Sequence, residues 1–368
     1  MKKITFDTPL LPYNTFGMDV KAAVFAEYDS VDDLKEILSD TRIVELMHAE
    51  KEKGHLPFWH IGSGSNLLFT GDYPGVVLHC SAKGIHPIEM DTEASAENDD
   101  ICMLNVEAGT IWDDVCAYCA SNGLYGPENL SLIPGEMGAA AVQNIGAYGV
   151  EISNLIEKVI CWDIEAGKEH RFSENEMGYG YRESRLKHAA DKARYIVTGV
   201  ILKVHRTRQL HLEYAGIKRE LGIENVSEAD LAASQTPTLQ EVREAVIRIR
   251  ERKLPDPKVI GNAGSFFKNP VVPNSVFLPL LEKYPDMTHY VVDPDHTKIP
   301  AGWMIEQCGW KGKSLGRAGV YEKQSLVLVN RGGARPEEIV RLCQTIINDV
   351  EKKFGIRIEP EVNLIEGL

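Results

Sequence analysis

The chain has 368 residues, 43% of them hydrophobic and 26% charged, the composition of an ordinary globular protein with room for two or three domains. Its 40 basic and 54 acidic residues give a formal net charge of -14, which argues against a nucleic-acid partner needing a basic footprint but not against a small anionic ligand held by local arginines. The start lacks the apolar segment of a signal peptide, no apolar run approaches membrane-spanning length, and the seven cysteines are scattered, so we expect a cytoplasmic protein.

In chain order, apolar spacing predicts a helix from Val31 to Lys51, then strand, tight turn and strand through "LPFWHIGSGSNLLFT", and a further strand in "GVVLHCSAKGI". The acidic stretch "MDTEASAENDD" reads as a hairpin loop. Strand, turn and helix follow in "ICMLNVEAGTIWDDVCAYCASNG", where Cys116 and Cys119 share a helix face and are expected to be buried thiols rather than metal ligands. A hairpin around Glu165, Ala166 and Gly167 and a long strand in "ARYIVTGVILKVHR" complete the first part. Beyond Arg206 the texture changes. Thr238 and Glu241 form a capping box for a helix running to Lys253, which Pro255 and Pro257 stop. A last helix spans Pro336 to Phe354, and "IRIEPEVNLI" reads as a final strand carrying Glu361.

The segment Ser131–Ile152, "SLIPGEMGAAAVQNIGAYGVEI", fits neither helix nor strand well, because Gly135, Gly138, Gly146 and Gly149 weaken both. Such backbone suits close approach to a large phosphate-bearing ligand. "GSGSNLL", from Gly62 to Leu68, has the first two glycines of a dinucleotide fingerprint, but Leu67 replaces the third, so a Rossmann domain is excluded. Paired with the Pro134–Gly149 run, it reads as a second part of one cradle. Arg182 in "GYGYRESRLKH", Ser265 in "GNAGSFFKNP" and Glu361 are ordinarily read as a surface arginine, a turn hydroxyl and an edge-strand carboxylate. Ser265 is not in a nucleophile elbow, since Ala263 and Phe267 stand where glycines would be needed.

The ordered motifs "NTF", "GSGSNLL", "IPG..GAA.VQNIGAYG", "YRES", "GNAGSFFKNP", "AGW.IEQCG.KG" and "EPEV" resemble the UDP-N-acetylenolpyruvoylglucosamine reductase family (MurB) from about Asn14 to Glu361. "LEYAGIKREL" with Tyr214 resembles its longer type I form. The resemblance implies an α+β protein: an FAD-binding domain of the vanillyl-alcohol oxidase (PCMH) type over 1–205, with subdomains about 1–80 and 81–205, and a C-terminal α+β substrate domain over 206–368. It implies reduction of UDP-N-acetylglucosamine enolpyruvate to UDP-N-acetylmuramate with FAD and NADPH, in a monomer with no metal, nucleic-acid or membrane partner.

Carried over residue by residue, the resemblance gives Ser265 as proton donor, Arg182 as the cation holding the substrate carboxylate, and Glu361 as its partner on the other side. FAD contacts are expected from Gly62, Ser63, Gly64, Ser65, Asn66 and Leu67. The longer run adds Pro134, Gly135, Gly138, Ala139, Gln143, Asn144, Gly146, Ala147, Tyr148 and Gly149. Tyr214, Lys253, Asn269 and Gln307 match substrate positions, the lysine and tyrosine at the UDP diphosphate. The chain departs from the family pattern at Glu136 and Met137, at Ala141 where proline is common, and at Asn363 where an arginine is frequent. Glu136 is expected to point outward, because a carboxylate near the flavin diphosphate is unfavourable. The competing readings are another flavin oxidoreductase of the same cofactor fold and a non-catalytic UDP-sugar-binding protein.

Overall fold

A computed structural model describes residues 2–89, 100–226 and 236–367. The acidic stretch expected to be a hairpin loop lies almost wholly outside them. Two compact units form: residues 1–8, 22–63 and 75–252 make the first, and 9–21, 64–74 and 253–368 the second. Residues 206–252, grouped by texture with the C-terminal part, fall in the first unit.

Among its described residues the first unit contains two larger sheets, beside a small ribbon of Gly146–Ala147 with Val150–Glu151. One has strand order Lys3–Pro9, Lys21–Tyr28, Tyr73–Cys80, Phe58–Ile61, the last two parallel. The other is antiparallel, in the order Lys168–Ser173, Ile156–Asp163, Tyr195–His205, Ile101–Glu107, Ile85–Ile88. The long strand Tyr195–His205 is central, and its Ile196, Val197, Val200, Leu202 and Val204 are buried. Trp112, Leu104, Val159 and Phe172 belong to the same core. The helix expected from Val31 to Lys51 is two, Val31–Leu38 and Thr41–Glu52. The break has a local cause: Asp40 sits extended and its carboxylate accepts from Arg42 N, starting a new helix. The expected hairpin at 165–167 forms between Ile156–Asp163 and Lys168–Ser173. Cys116 and Cys119 are buried free thiols, and burial raises both, Cys119 to about 12.

The capping box is present: Glu241 Oε2 accepts from Thr238 N at 2.7 Å, and Thr238 Oγ1 accepts from Glu241 N at 3.2 Å. The helix Leu239–Lys253 follows and buries Val242, Ala245, Val246 and Ile249 on one face.

The second unit has an antiparallel sheet ordered Gly261–Ser265, Val327–Asn330, Ala318–Val320, Ser314–Leu315. The helix Pro336–Phe354 accompanies it, with proline in its first turn and Gly355 closing it in the left-handed region. Its buried Ile339, Leu342, Cys343, Ile346, Ile347 and Val350 follow helical spacing. The expected final strand is shorter than its sequence suggests. Only Asn363–Ile365 is a strand, parallel to Leu67–Phe69, and Glu361 lies in the bend before it.

Candidate functional site

The Ser131–Ile152 run is built around a short helix, Met137–Gln143, which the glycine content had argued against. Gly138 is tolerated there because a Cβ at that position would meet Ala108 Cβ at 3.0 Å, so close packing repays the lost propensity. On either side the backbone is strained. Of the five non-glycine residues with positive φ among the described residues, four are Leu132, Asn144, Tyr148 and Arg182. Such conformations cost energy and persist only where surrounding contacts hold them. Asn144 shows how. Its amide donates to Glu151 Oε2 at 2.9 Å and to Gly180 O at 2.8 Å, while its Oδ1 accepts from Ser153 N at 3.1 Å.

The 180–187 segment is stapled onto this run. Arg182 donates to Gly146 O at 2.5 Å and Asn144 O at 3.3 Å. Ser184 Oγ donates to Val142 O at 2.7 Å, and Lys187 Nζ donates to Gln143 Oε1 at 3.2 Å and Arg182 O at 2.7 Å. Arg182 is thus brought together with Gln143, Asn144 and Gly146. The Tyr148 and Tyr214 rings meet edge to face, 5.1 Å between centroids, which joins an expected cofactor residue to an expected substrate residue. Two arginines that sequence reading missed fix the start of the run. Arg250 Nε donates to Leu132 O at 3.2 Å, and Arg243 pairs with both oxygens of Asp113, whose Oδ1 also accepts from Leu132 N at 2.6 Å. Burial lowers Arg250 from its ordinary value. Their only sequence signal is charge on the otherwise buried side of a helix.

Gly62 and Ser63 fall in the first unit and Gly64 to Leu67 in the second. Ser63 Oγ is shielded from solvent and has no hydrogen-bond partner among the described residues, an orphan hydroxyl that suits a bound polar ligand. Within the second unit, Gly64 is obligatory: at φ +68 a Cβ would stand 2.0 Å from Tyr13 O. Thr15 of "NTF", which sequence reading quoted without a role, ties two motifs together. Its N–H donates to Gly64 O at 3.1 Å and its Oγ1 to Asn262 O at 2.6 Å. Asn363 donates to Asn66 O through both its backbone N–H, at 3.1 Å, and its side chain, at 3.0 Å, so the departure from arginine is used to hold that loop.

Ser265 ends the strand Gly261–Ser265 at an irregularity beside Gly264, whose φ is +68. Glu361 N donates to Phe266 O at 2.8 Å, so the backbone sets Glu361 next to the segment that carries Ser265. Asn269 Oδ1 accepts from Ala301 N at 2.9 Å at the start of the helix Ala301–Gln307. Lys253 and Gln307 are exposed, each at the C-terminal end of a helix. The expected substrate residues Lys253, Asn269 and Gln307 therefore come from separate parts of the chain, while Ser265, at a strand end, and Glu361, in a bend, are linked through the Glu361 N–Phe266 O hydrogen bond.

Glu136 contradicts the expectation that it points outward. It is buried at 6% exposure, beside Gly62, and its Oε1 lies 3.4 Å from His79 Nε2. The fit of this region to FAD is otherwise good: an orphan hydroxyl, strained turns fixed by polar staples and a left-handed tyrosine. No group of three or more metal-ligating side chains occurs among the described residues, and no described helix is long and apolar enough to cross a membrane.

Known proteins resemble the whole chain. Residues 256–365 match the pattern of the UDP-N-acetylenolpyruvoylglucosamine reductase C-terminal domain, and residues 25–173 that of an FAD binding domain. The UDP-N-acetylenolpyruvoylglucosamine reductase of Bacteroides fragilis (strain YCH46) is 48% identical, covering 97% of this chain and 98% of its own. That of Porphyromonas gingivalis (strain ATCC 33277) is 42% identical, covering 98% of both chains. In fold, the chain is similar to the crystal structure of UDP-N-acetylenolpyruvylglucosamine reductase from Thermus caldophilus, with a TM-score of 0.62 at 22% identity over 99% of this chain and 98% of that one.

Proposed function

Because the chain belongs to the UDP-N-acetylenolpyruvoylglucosamine reductase family of FAD-dependent oxidoreductases, we propose that it reduces UDP-N-acetylglucosamine enolpyruvate to UDP-N-acetylmuramate at the expense of NADPH. FAD, held by the Gly62–Leu67 and Pro134–Gly149 segments, would supply two-electron chemistry there, carrying hydride between NADPH and the vinyl C3 of the enolpyruvyl substrate. The protein's own residues do the rest. Arg182 holds the substrate carboxylate, where a fixed cation offsets the negative charge that develops as C3 gains hydride. Ser265 delivers the proton to C2; a hydroxyl is a weak acid, and the basic enolate it protonates makes the transfer favourable. Glu361 acts on the same substrate carboxylate. Tyr214 and Lys253 take the UDP diphosphate, with Asn269 and Gln307 on the remaining polar groups. The cofactor residues from Gly62 to Leu67 and from Pro134 to Gly149 supply backbone N–H groups and close-fitting turns.

The observation that most supports this reading is the clamp on Arg182. Its guanidinium reaches Gly146 O and Asn144 O, so a cation is fixed against the glycine-rich run rather than left on a mobile surface chain. We also propose a cytoplasmic monomer, with residues 206–368 contributing the substrate-binding part. The test is purification followed by a visible spectrum and NADPH oxidation. A yellow protein that turns NADPH over catalytically only on addition of UDP-N-acetylglucosamine enolpyruvate, and faster than NADH, supports the reading. Failure to hold added FAD, or turnover indifferent to the enolpyruvyl compound, removes it.

A further inference from the structure

A buried chain of ionisable groups lies beside Gly62, and the reaction makes no use of it. His79, on the strand Tyr73–Cys80, stands between two carboxylates: Glu27 Oε2 is 2.9 Å from its Nδ1, and Glu136 Oε1 is 3.4 Å from its Nε2. The side chains of His79 and Glu136 are only 13% and 8% exposed. Phe25 stacks against the imidazole, 6.1 Å between centroids. The other titratable groups acting here come from the neighbouring strands. His60 Nε2 lies 2.9 Å from Tyr28 OH, and burial pushes the Tyr28 hydroxyl well up, with the charges of Cys80, Cys161 and Glu136 acting in the same direction. Burial pushes His60 down to about 3, with the charge of His79 acting in the same direction. His60 therefore stays neutral. Burial also opposes protonation of His79, but hydrogen bonds and charge from Glu136 and then Glu27 outweigh it and raise its pKa above the ordinary histidine value.

Glu136 is the residue before the Met137–Gln143 helix, yet its side chain does not cap that helix. It turns instead toward His79, with Oε2 3.0 Å from where a Gly62 Cβ would be. An uncompensated carboxylate at this place would repel an anionic ligand held by the turn. We propose that His79 is the counter-ion of Glu136, and that this pair both fixes the start of the Met137–Gln143 helix against the Gly62 turn and cancels a negative charge where the FAD diphosphate is to be received. His79 and Glu136 are positioning residues, and their role rests on the cofactor reading given above.

The pH dependence follows from the direction of the His79 shift. The imidazolium is complete below the ordinary histidine value and is lost as pH rises through the raised one. Loss of that proton leaves Glu136 and Glu27 facing each other across a neutral ring, with the charge of Glu136 restored beside Gly62. FAD should then be held less well at alkaline pH, and the effect should shrink with added salt.

The experiment follows release of FAD from the full-length holoprotein, by the rise in flavin fluorescence on dilution, between about pH 6 and about pH 9. The wild type should release FAD roughly tenfold faster at the alkaline end. Glu136→Gln should hold FAD with a flat profile. His79→Gln should release it at the fast, alkaline rate throughout, and the double variant should recover the slow rate. An NMR titration of His79, which needs no flavin, should show its pKa fall in Glu136→Gln. Thermal unfolding of each variant separates a general loss of structure from the local effect, since damage alone would not produce recovery in the double variant. If Glu136→Gln keeps the wild-type pH profile, the counter-ion role is overturned while the cofactor reading stands. If the wild type holds no FAD at any pH, the cofactor reading itself is overturned.

Discussion

The Pro336–Phe354 helix and the Ser131–Ile152 run are held by different physics. The helix rests on a stripe of aliphatic side chains, a proline at its start and a glycine at its end, and almost any contact in it can be weakened without changing its shape. The run contains a helix of seven residues, and its turns pass through left-handed conformations at Leu132, Asn144 and Tyr148. Those turns persist because Asn144, Arg182, Lys187, Arg243 and Arg250 or their partners grip specific backbone groups. Burial distributes stability over many atoms, whereas polar staples concentrate shape in a few. Substitutions in the helix should therefore lower stability with little effect on function per folded molecule. Substitutions around the run should do the reverse.

The largest effect expected is on the side of the helix. Ile346→Ala removes a fully buried side chain and should cost about 2–5 kcal/mol of unfolding free energy, read by denaturant titration, while FAD content and turnover per folded molecule stay as in the wild type. A parallel loss of FAD would show that the two regions are not energetically separate.

Arg182→Ala should give the opposite pattern. The variant loses both the proposed carboxylate clamp and the contacts to Gly146 and Asn144. We expect kcat/KM for the enolpyruvyl substrate to fall by roughly a hundredfold to a thousandfold with only a small change in melting temperature. Arg182→Lys should recover little, because a point charge cannot reach two carbonyls and a carboxylate together. Large destabilisation with normal turnover by the folded fraction would mean that Arg182 is a structural staple alone.

A smaller effect is expected at Tyr214, which is 40% exposed and packs edge-on against Tyr148. Tyr214→Phe keeps the ring contact and removes the hydroxyl. Substrate binding should weaken by about 1.5–3 kcal/mol, the cost of a charge-assisted hydrogen bond, with stability unaltered. Unchanged affinity would remove Tyr214 from the diphosphate.

The smallest is Thr238→Ala, which breaks the capping box of the Leu239–Lys253 helix. About 1 kcal/mol of stability should go. Because this helix carries Arg243 and Arg250, comparing FAD release in this variant and in Arg250→Ala separates fraying of the helix end from loss of the grip on Leu132.

What the sequence made legible follows the same division. The Pro336–Phe354 helix, the Thr238 box and the hairpin at 165–167 are local patterns, and each formed where its residues pointed. The helix inside the glycine-rich run was hidden because Ala108, far away in sequence, supplies the packing that repays Gly138. Asp40 was a legible cap that the longer apolar period from Val31 obscured. Glu136 was read as outward because a carboxylate near the flavin diphosphate is unfavourable, and its burial was hidden because its partner His79 comes from a strand distant in the chain. Arg182, Ser265 and Glu361 have no local signature of their own. Their expected roles rest on the order of motifs around them; the fold adds a positive φ and a grip on the run for Arg182, and a backbone hydrogen bond from Glu361 to Phe266 beside Ser265.

The proposed proton donor is the centre of the functional account, and Ser265→Ala tests it most directly. Stopped-flow absorbance of the flavin separates reduction by NADPH from reoxidation by UDP-N-acetylglucosamine enolpyruvate. Reduction involves no proton at C2 and should proceed near the wild-type rate. Reoxidation should slow by roughly a hundredfold to ten-thousandfold, with Ser265→Cys retaining more of it, because a thiol still donates. Reoxidation of Ser265→Ala as fast as that of the wild type would contradict the account.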